Sequence, residues 1–203
     1  MKVVVGLGNP GREYAATRHN VGWWLIDHLA DVWRFDGWRN DGDSQVSVGN
    51  VGGTKVKLVK PQTFMNLSGG ALRPFLRNPF FSAAKDLLVV SDEVQIPVGR
   101  FRLRSRGSAG GHNGLKSVEQ SIGNQDYSRL RIGVGPSEER RAVYSDLADF
   151  VLAPFAKDER DDVIALMPDL VGATETWLAD GIEKAMNLHN RAPQSPGEDS
   201  PSE

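Results

Sequence analysis

Cysteine is absent from the 203 residues of the chain. Its absence excludes disulfides, thiol nucleophiles and thiolate-ligated zinc or iron–sulfur centres, and it suits a reducing cytoplasm. Long apolar runs are also missing. No stretch approaches the ~18 residues of a membrane-spanning helix, and the opening MKVVVGLGNP turns to Gly and Pro too early for a secretory signal. The expectation is a cytoplasmic protein with no membrane contact. Nor is there a surplus of positive charge: 24 Lys and Arg stand against 26 Asp and Glu, a formal net charge of −2. After Arg191 no cation follows, but Glu198, Asp199 and Glu203 do. Taking those three acids from a net −2 leaves +1 over residues 1–191, so any nucleic-acid binding must rest on a local patch. Residues 192–203, rich in Pro, Ser and acid, read as a disordered tail, and residues 1–191 as one domain without repeats or linkers.

What is present is an alternation of strand and helix signals. Lys2–Leu7 is a β-branched run that reads as a buried strand, and Val21, Trp24, Leu25, Leu29 and Val32 recur at helical spacing. Val46–Val51 and Lys55–Val59 form a hairpin pattern through Gly52-Gly53. Asn66–Arg77 has helical spacing interrupted by Pro74, and Leu87–Val90 is a short strand ending near Asp92. Gly99–Arg104 and Tyr127–Val134 alternate, which predicts Arg100, Arg102, Arg104, Arg129 and Arg131 on outward faces. A Gly-rich loop over Ser105–Gly114 leads into a helix ending near Ile122, and from Ser145 the chain reads as helical with Pro154 and Pro168 as breakers. Strands interleaved with helices and a hairpin predict an α/β fold, a central mixed sheet surrounded by helices.

Several catalytic templates fail. Gly6-Leu7-Gly8-Asn9-Pro10-Gly11 satisfies GxGxxG after a strand, but the next helix begins about ten residues past its proper place, and Asp27 and Asp31 lie in a helical pattern rather than after a second strand. Gly110–Ser117 has Leu115 where a phosphate-binding loop needs its second Gly. No GxSxG occurs, and His19, His28, His112 and His189 show no metal-type spacing, so neither a metal nor another cofactor is expected. His28 lies on the apolar face of its helix and reads as structural.

Polar residues at strand ends and in loops remain: Asn9, His19, Asn66, Asp92 and Asn113. Ligand sites in open α/β sheets gather at the carboxyl ends of strands. A His with an Asp makes a general base, and Asn side chains suit amide recognition or oxyanion stabilisation. Each also has a local reading: a turn for Asn9, a cap neighbour for His19, an N-cap for Asn66, a solvated strand end for Asp92. The arginines are either solvated charge or phosphate contacts.

The blocks VGLGNPGREYAATRHNVGWWLIDHLA, KPQTFMNLSGGAL, VVSDEVQIPVGRFRLR and GSAGGHNGLKSVEQSIGNQDYSRLRIGVG, in that order, resemble bacterial-type peptidyl-tRNA hydrolase from Lys2 to about Phe155. The resemblance implies a monomeric, metal-independent enzyme that cleaves the ester between a peptide and the terminal ribose of tRNA, with peptidyl-tRNA as partner through its acceptor end and peptide. It implies His19 and Asp92 as the catalytic pair with Asn9 beside them. Tyr14, Met65, Asn66 and Asn113 become substrate-binding residues, and Arg102, Arg104 and Arg131 contacts to the tRNA backbone. Gln95 departs from the family pattern, where Asp is common. A non-hydrolytic RNA-binding relative and a nucleotide-cofactor enzyme are the competing classes.

Overall fold

The computed structural model describes residues 1–136 and 146–190. The tail expected at 192–203 lies outside the described residues. A seven-stranded sheet runs in the order β2-β3-β4-β1-β5-β7-β6. Its strands are β1 (Lys2–Gly6), β2 (Arg39–Asp41), β3 (Ser44–Val51), β4 (Thr54–Pro61), β5 (Leu87–Pro97), β6 (Phe101–Arg104) and β7 (Ser128–Gly135). The central four, β4, β1, β5 and β7, are mutually parallel, and β3 and β6 join them antiparallel. The carboxyl ends of the parallel strands therefore open on one edge of the sheet, where the polar residues singled out above fall.

Both faces of the sheet are covered. Val4, Leu88, Val90, Leu130 and Ile132 face α1 (Val21–Val32) and a long helix at Lys157–Asp180, while Val3, Val5, Leu87 and Val89 face the other layer. That second layer contains a 3-10 helix at Met65–Leu72, α2 (Arg73–Leu76) and α4 (Asn113–Ile122); α3 (Ala83–Asp86) leads into β5. After β7 come α5 (Leu147–Leu152), α6 (Lys157–Asp180) and α7 (Ile182–His189). The hairpin between β3 and β4 turns through Gly52 and Gly53 at φ 53° and 81°, a pair of positive values that only Gly adopts without strain.

The GxGxxG look-alike serves packing. A Cβ on Gly6 would lie 2.4 Å from Ile26 Cγ1 and one on Gly8 2.8 Å from the Trp23 indole, so these glycines let α1 cross close over the end of β1. The chain then spends residues 9–17 in turns before α1, which leaves no helix N-terminus behind the third Gly to hold a pyrophosphate.

Three sequence expectations need correction. β5 runs to Pro97 rather than stopping near Val90, because β7 continues to pair with it past Asp92. Pro168 does not break the chain but lies inside α6. It sits on the exposed side, and ten buried residues from Glu159 to Leu178 hold the helix together despite the missing N–H, whose cost is ~3 kcal/mol. Arg129 is wholly buried rather than outward. Because α4 covers that face of β7, the guanidinium pairs with Glu119 at 3.2 Å and donates to the Ser108 carbonyl at 3.0 Å. It also lies 4.1 Å above the Tyr127 ring.

Candidate active site

A cleft of about 490 Å³ lies at the carboxyl edge of the sheet. The loop after β1 supplies Asn9, the 3-10 helix after β4 supplies Met65 and Asn66, and the middle of β5 supplies Asp92; the 3-10 turn before α1 supplies His19, and the start of α4 supplies its N-cap His112 and Asn113. Tyr14 completes the polar side. Seven of the ten residues expected at the site are thus brought together; Arg102, Arg104 and Arg131 lie outside this cleft.

Asp92 is 4% exposed and is the hub of the cluster. Its Oδ1 lies 2.8 Å from His19 Nδ1 and 2.9 Å from His112 Nε2, and the two imidazole centroids are 4.9 Å apart. Burial opposes the charge on Asp92, but the attraction of His112 and His19 and their hydrogen bonds outweigh it and hold the carboxyl well below its ordinary range.

The proton positions follow from fixed donors. His112 caps α4: its Nδ1 accepts from the backbone N–H groups of Gly114 at 3.0 Å and Leu115 at 3.3 Å. Nδ1 must therefore carry the lone pair and Nε2 the proton, which is donated to Asp92. His19 in turn donates its Nδ1 proton to the same carboxylate oxygen. That leaves Nε2 of His19, with no partner among the described residues, as the unspent lone pair of the cluster. The same capping answers the metal question. The ligand atoms of His19, Asp92 and His112 all lie within 4.8 Å of one another, a grouping invisible in the sequence spacing. A metal on His112 Nε2 would require a proton on Nδ1, aimed at two backbone N–H groups, so the hydrogen-bonded cluster disfavours a metal.

Asn9 is held on three sides. Its backbone N–H donates to Asn20 Oδ1 at 2.9 Å, its carbonyl accepts from Asn20 Nδ2 at 2.9 Å, and its Oδ1 accepts from the Met65 N–H at 2.8 Å. Its Nδ2 makes no hydrogen bond among the described residues, so the side chain presents donors only. The carboxamides of Asn66 and Asn113 are likewise unspent among the described residues, and both residues are exposed. Met65 is 5% exposed, its Sδ standing 2.5 Å from where a Cβ on Gly114 would lie, so it forms the floor rather than a free wall. The apolar wall consists instead of Phe64, in edge contact with Tyr14 at 6.4 Å, with Leu147, Val151 and Leu152 of α5 opposite. Phe64 and Leu147 are 57% and 58% exposed, large apolar faces at the mouth of a polar cleft. Ser, Thr, Lys and Cys are absent from the described lining.

His112, Asn20 and Phe64 are residues that sequence reasoning missed. His112 carried one local signal, its place before a helix and after Gly110-Gly111. Arg18, next to His19, is buried and ties the site to α6: it pairs with Glu159 at 2.6 Å and lies 4.3 Å from the Phe150 ring of α5. Arg102 and Arg104 project from β6 on the face shared with their register partners Arg131 and Arg129. Both are exposed and have no partner among the described residues. Arg131 is already engaged, by Glu93 at 2.9 Å and the Ser108 carbonyl at 2.9 Å. Gln95 is exposed, away from the cleft.

Comparison with known proteins places this geometry. The family model described as peptidyl-tRNA hydrolase matches residues 3–197. A peptidyl-tRNA hydrolase of Gemmatimonas aurantiaca is 56% identical over 191 residues, spanning 94% of this chain and 100% of that one. That of Desulfitobacterium hafniense is 46% identical over the same shares. Among solved structures, a peptidyl-tRNA hydrolase from Acinetobacter baumannii superposes with a TM-score of 0.82 at 34% identity, covering 94% of each chain. Another, in complex with N-propanol, superposes with a TM-score of 0.83 at 32% identity over 96% of this chain and 97% of that one.

Proposed function

Because the chain belongs to the peptidyl-tRNA hydrolase family, we propose that its cleft cleaves the ester between a peptide's C-terminal carbonyl and the terminal ribose of tRNA by attack of a water that His19 deprotonates. The observation that carries this reading is the ordered proton chain: His112, locked by its helix cap, and His19 both donate to Asp92, which leaves His19 Nε2 as a base. In the first step a water proton passes to Nε2 while the water oxygen bonds to the ester carbon, whose carbonyl becomes an oxyanion. In the second, the bond to the ribose oxygen breaks and the proton on Nε2 goes to that oxygen. The products are a peptide acid and free tRNA. Water is taken as the nucleophile, since the described lining holds no Ser, Thr, Cys or Lys.

Asn9, with only donor hydrogens unspent, serves the ester or oxyanion oxygen; loss of one such donor costs about 10²–10³-fold in turnover. Asn66 and Asn113, able both to donate and to accept, suit the peptide backbone, which is common to all peptides. Phe64, Leu147, Val151 and Leu152 give side chains an apolar wall of no fixed shape requirement. Arg102 and Arg104 contact tRNA phosphates; Arg131 does so only by sharing its guanidinium with Glu93. Action as a monomer is part of this proposal, and a cytoplasmic setting accords with the substrate. Among the described residues no helix is long and apolar enough to cross a membrane.

The test is release of free tRNA from an N-acetyl-aminoacyl-tRNA, with unblocked aminoacyl-tRNA as comparison and EDTA in a parallel reaction. Cleavage of the blocked substrate that resists EDTA is the expected result. Binding without cleavage would replace hydrolysis by RNA binding alone. Charge reversal at Arg102 separates the tRNA surface from the chemistry. Arg102→Glu should raise KM for the tRNA substrate several-fold and flatten its salt dependence, yet leave cleavage of a minimal N-acetyl-aminoacyl ester unchanged. An equal loss on both substrates would remove the phosphate role.

A further inference from the structure

We propose that the acidic residues Glu198, Asp199 and Glu203 act on the arginine face of β6 in the same chain, as a tethered competitor of the tRNA backbone. The inference rests on the reading of Arg102 and Arg104 as phosphate contacts and adds a second, internal ligand for them.

The anchor is Asn190, the last described residue. Its Oδ1 accepts from the Leu103 N–H at 2.8 Å and its Nδ2 donates to the Leu103 carbonyl at 2.9 Å. A side-chain amide here takes the place of a neighbouring strand on the open edge of β6. It holds Asn190 beside Leu103, the residue between Arg102 and Arg104. Glu198 is eight residues further on, a reach of up to about 28 Å. Arg102 and Arg104 flank Leu103, each about 3.8 Å away along the strand at Cα, so the reach covers both.

Among the described residues the cations are unengaged. Arg100, Arg102, Arg104 and Arg106 are all exposed, and none makes a hydrogen bond or ion pair among the described residues. Arg129 and Arg131 on the adjacent strand, by contrast, are each held by a carboxylate. The groove beneath this edge, about 470 Å³, has Arg100, Arg102 and Asn190 in its wall and Asp169 as its acid. Beyond Arg191 the sequence offers three acids and no cation, with no apolar side chain larger than Ala192 and the prolines. Such a segment buries too little apolar surface to dock by packing, so charge must be its means of binding. Each exposed ion pair is weak and screened by salt. Tethering compensates by setting an effective concentration on the order of mM. An RNA acceptor stem, with many phosphates in register, displaces the acids, whereas an isolated anion does not. The tail therefore raises the threshold for binding at low salt and makes binding less steep in salt.

The full-length variant Glu198→Gln, Asp199→Asn, Glu203→Gln tests this. KM for N-acetyl-aminoacyl-tRNA should fall about 3–10-fold at roughly 50 mM salt, and the difference should vanish at roughly 0.3 M. Turnover of the minimal ester should not change. Combined with Arg102→Gln and Arg104→Gln, the tail changes should have no further effect, since the partner is gone. An unchanged KM at low salt, or an effect that persists without the two arginines, overturns the proposal. If the two arginine changes alone leave KM untouched, the arginine face is not a tRNA surface and both readings fall. An arginine effect with a silent tail removes only the tail's role.

Discussion

Replacing His19 by Ala should lower turnover of a blocked aminoacyl-tRNA by about 10²–10⁴-fold, the range spanned by loss of a general base. KM and the urea midpoint should stay close to those of the parent. Among the described residues His19 makes one side-chain hydrogen bond, to Asp92, and its side chain is 11% exposed at the cleft. Its removal leaves the carboxylate still accepting from His112, and α1 still packed through Val21, Leu25 and Leu29. Single-turnover kinetics with saturating enzyme, beside a denaturation curve, read both quantities. Retained turnover would show that another group takes the proton. Loss of turnover together with loss of the folded state would assign His19 to the scaffold instead.

Which residues were legible in the sequence, and which were not, follows from where their partners lie. Val3, Val4 and Val5 announce β1 by themselves, and Gly52-Gly53 announces the hairpin, because both signals are local. Asn9, His19, Asn66, Asp92 and Asn113 stood out as polar residues at strand ends and loops, and family resemblance tied them together. Arg129 misled because alternation along a strand reports two faces without saying which is wet. The answer lies in α4, whose Glu119 arrives from ten residues upstream to neutralise it. His112 was passed over for a similar reason. Its meaning depends on Asp92, twenty residues away, and on two backbone donors that exist only once α4 has formed. Pro168 disobeyed its local rule since Leu166, Met167, Leu170 and Val171 beside it are buried against the rest of the fold, packing that no window around the proline contains and that holds the helix despite the lost bond.

Asp92→Asn is the change that most directly probes this proton chain. Asp92 accepts two N–H donors on one oxygen; an Asn carbonyl can still accept, but its NH2 must then occupy the other side of the group and provides no negative charge. His19 would be held less firmly in the tautomer with Nε2 bare, and the imidazolium formed during catalysis would lose its counter-charge. Turnover should fall by about 10²–10⁴-fold with a smaller change in KM. Stability supplies an independent reading. A carboxylate whose folded value is held below its unfolded value near 3.9 contributes stability that is complete above that value and is lost as pH falls through the folded one. The parent should therefore exceed Asp92→Asn in Tm at pH 7, and the gap should narrow as the pH is taken below about 4. Thermal melts from pH 7 to about 3 measure it directly. A gap that stays constant across that range would mean that the buried carboxylate is not stabilised in its charged form, and the ordering of protons onto His19 would lose its foundation.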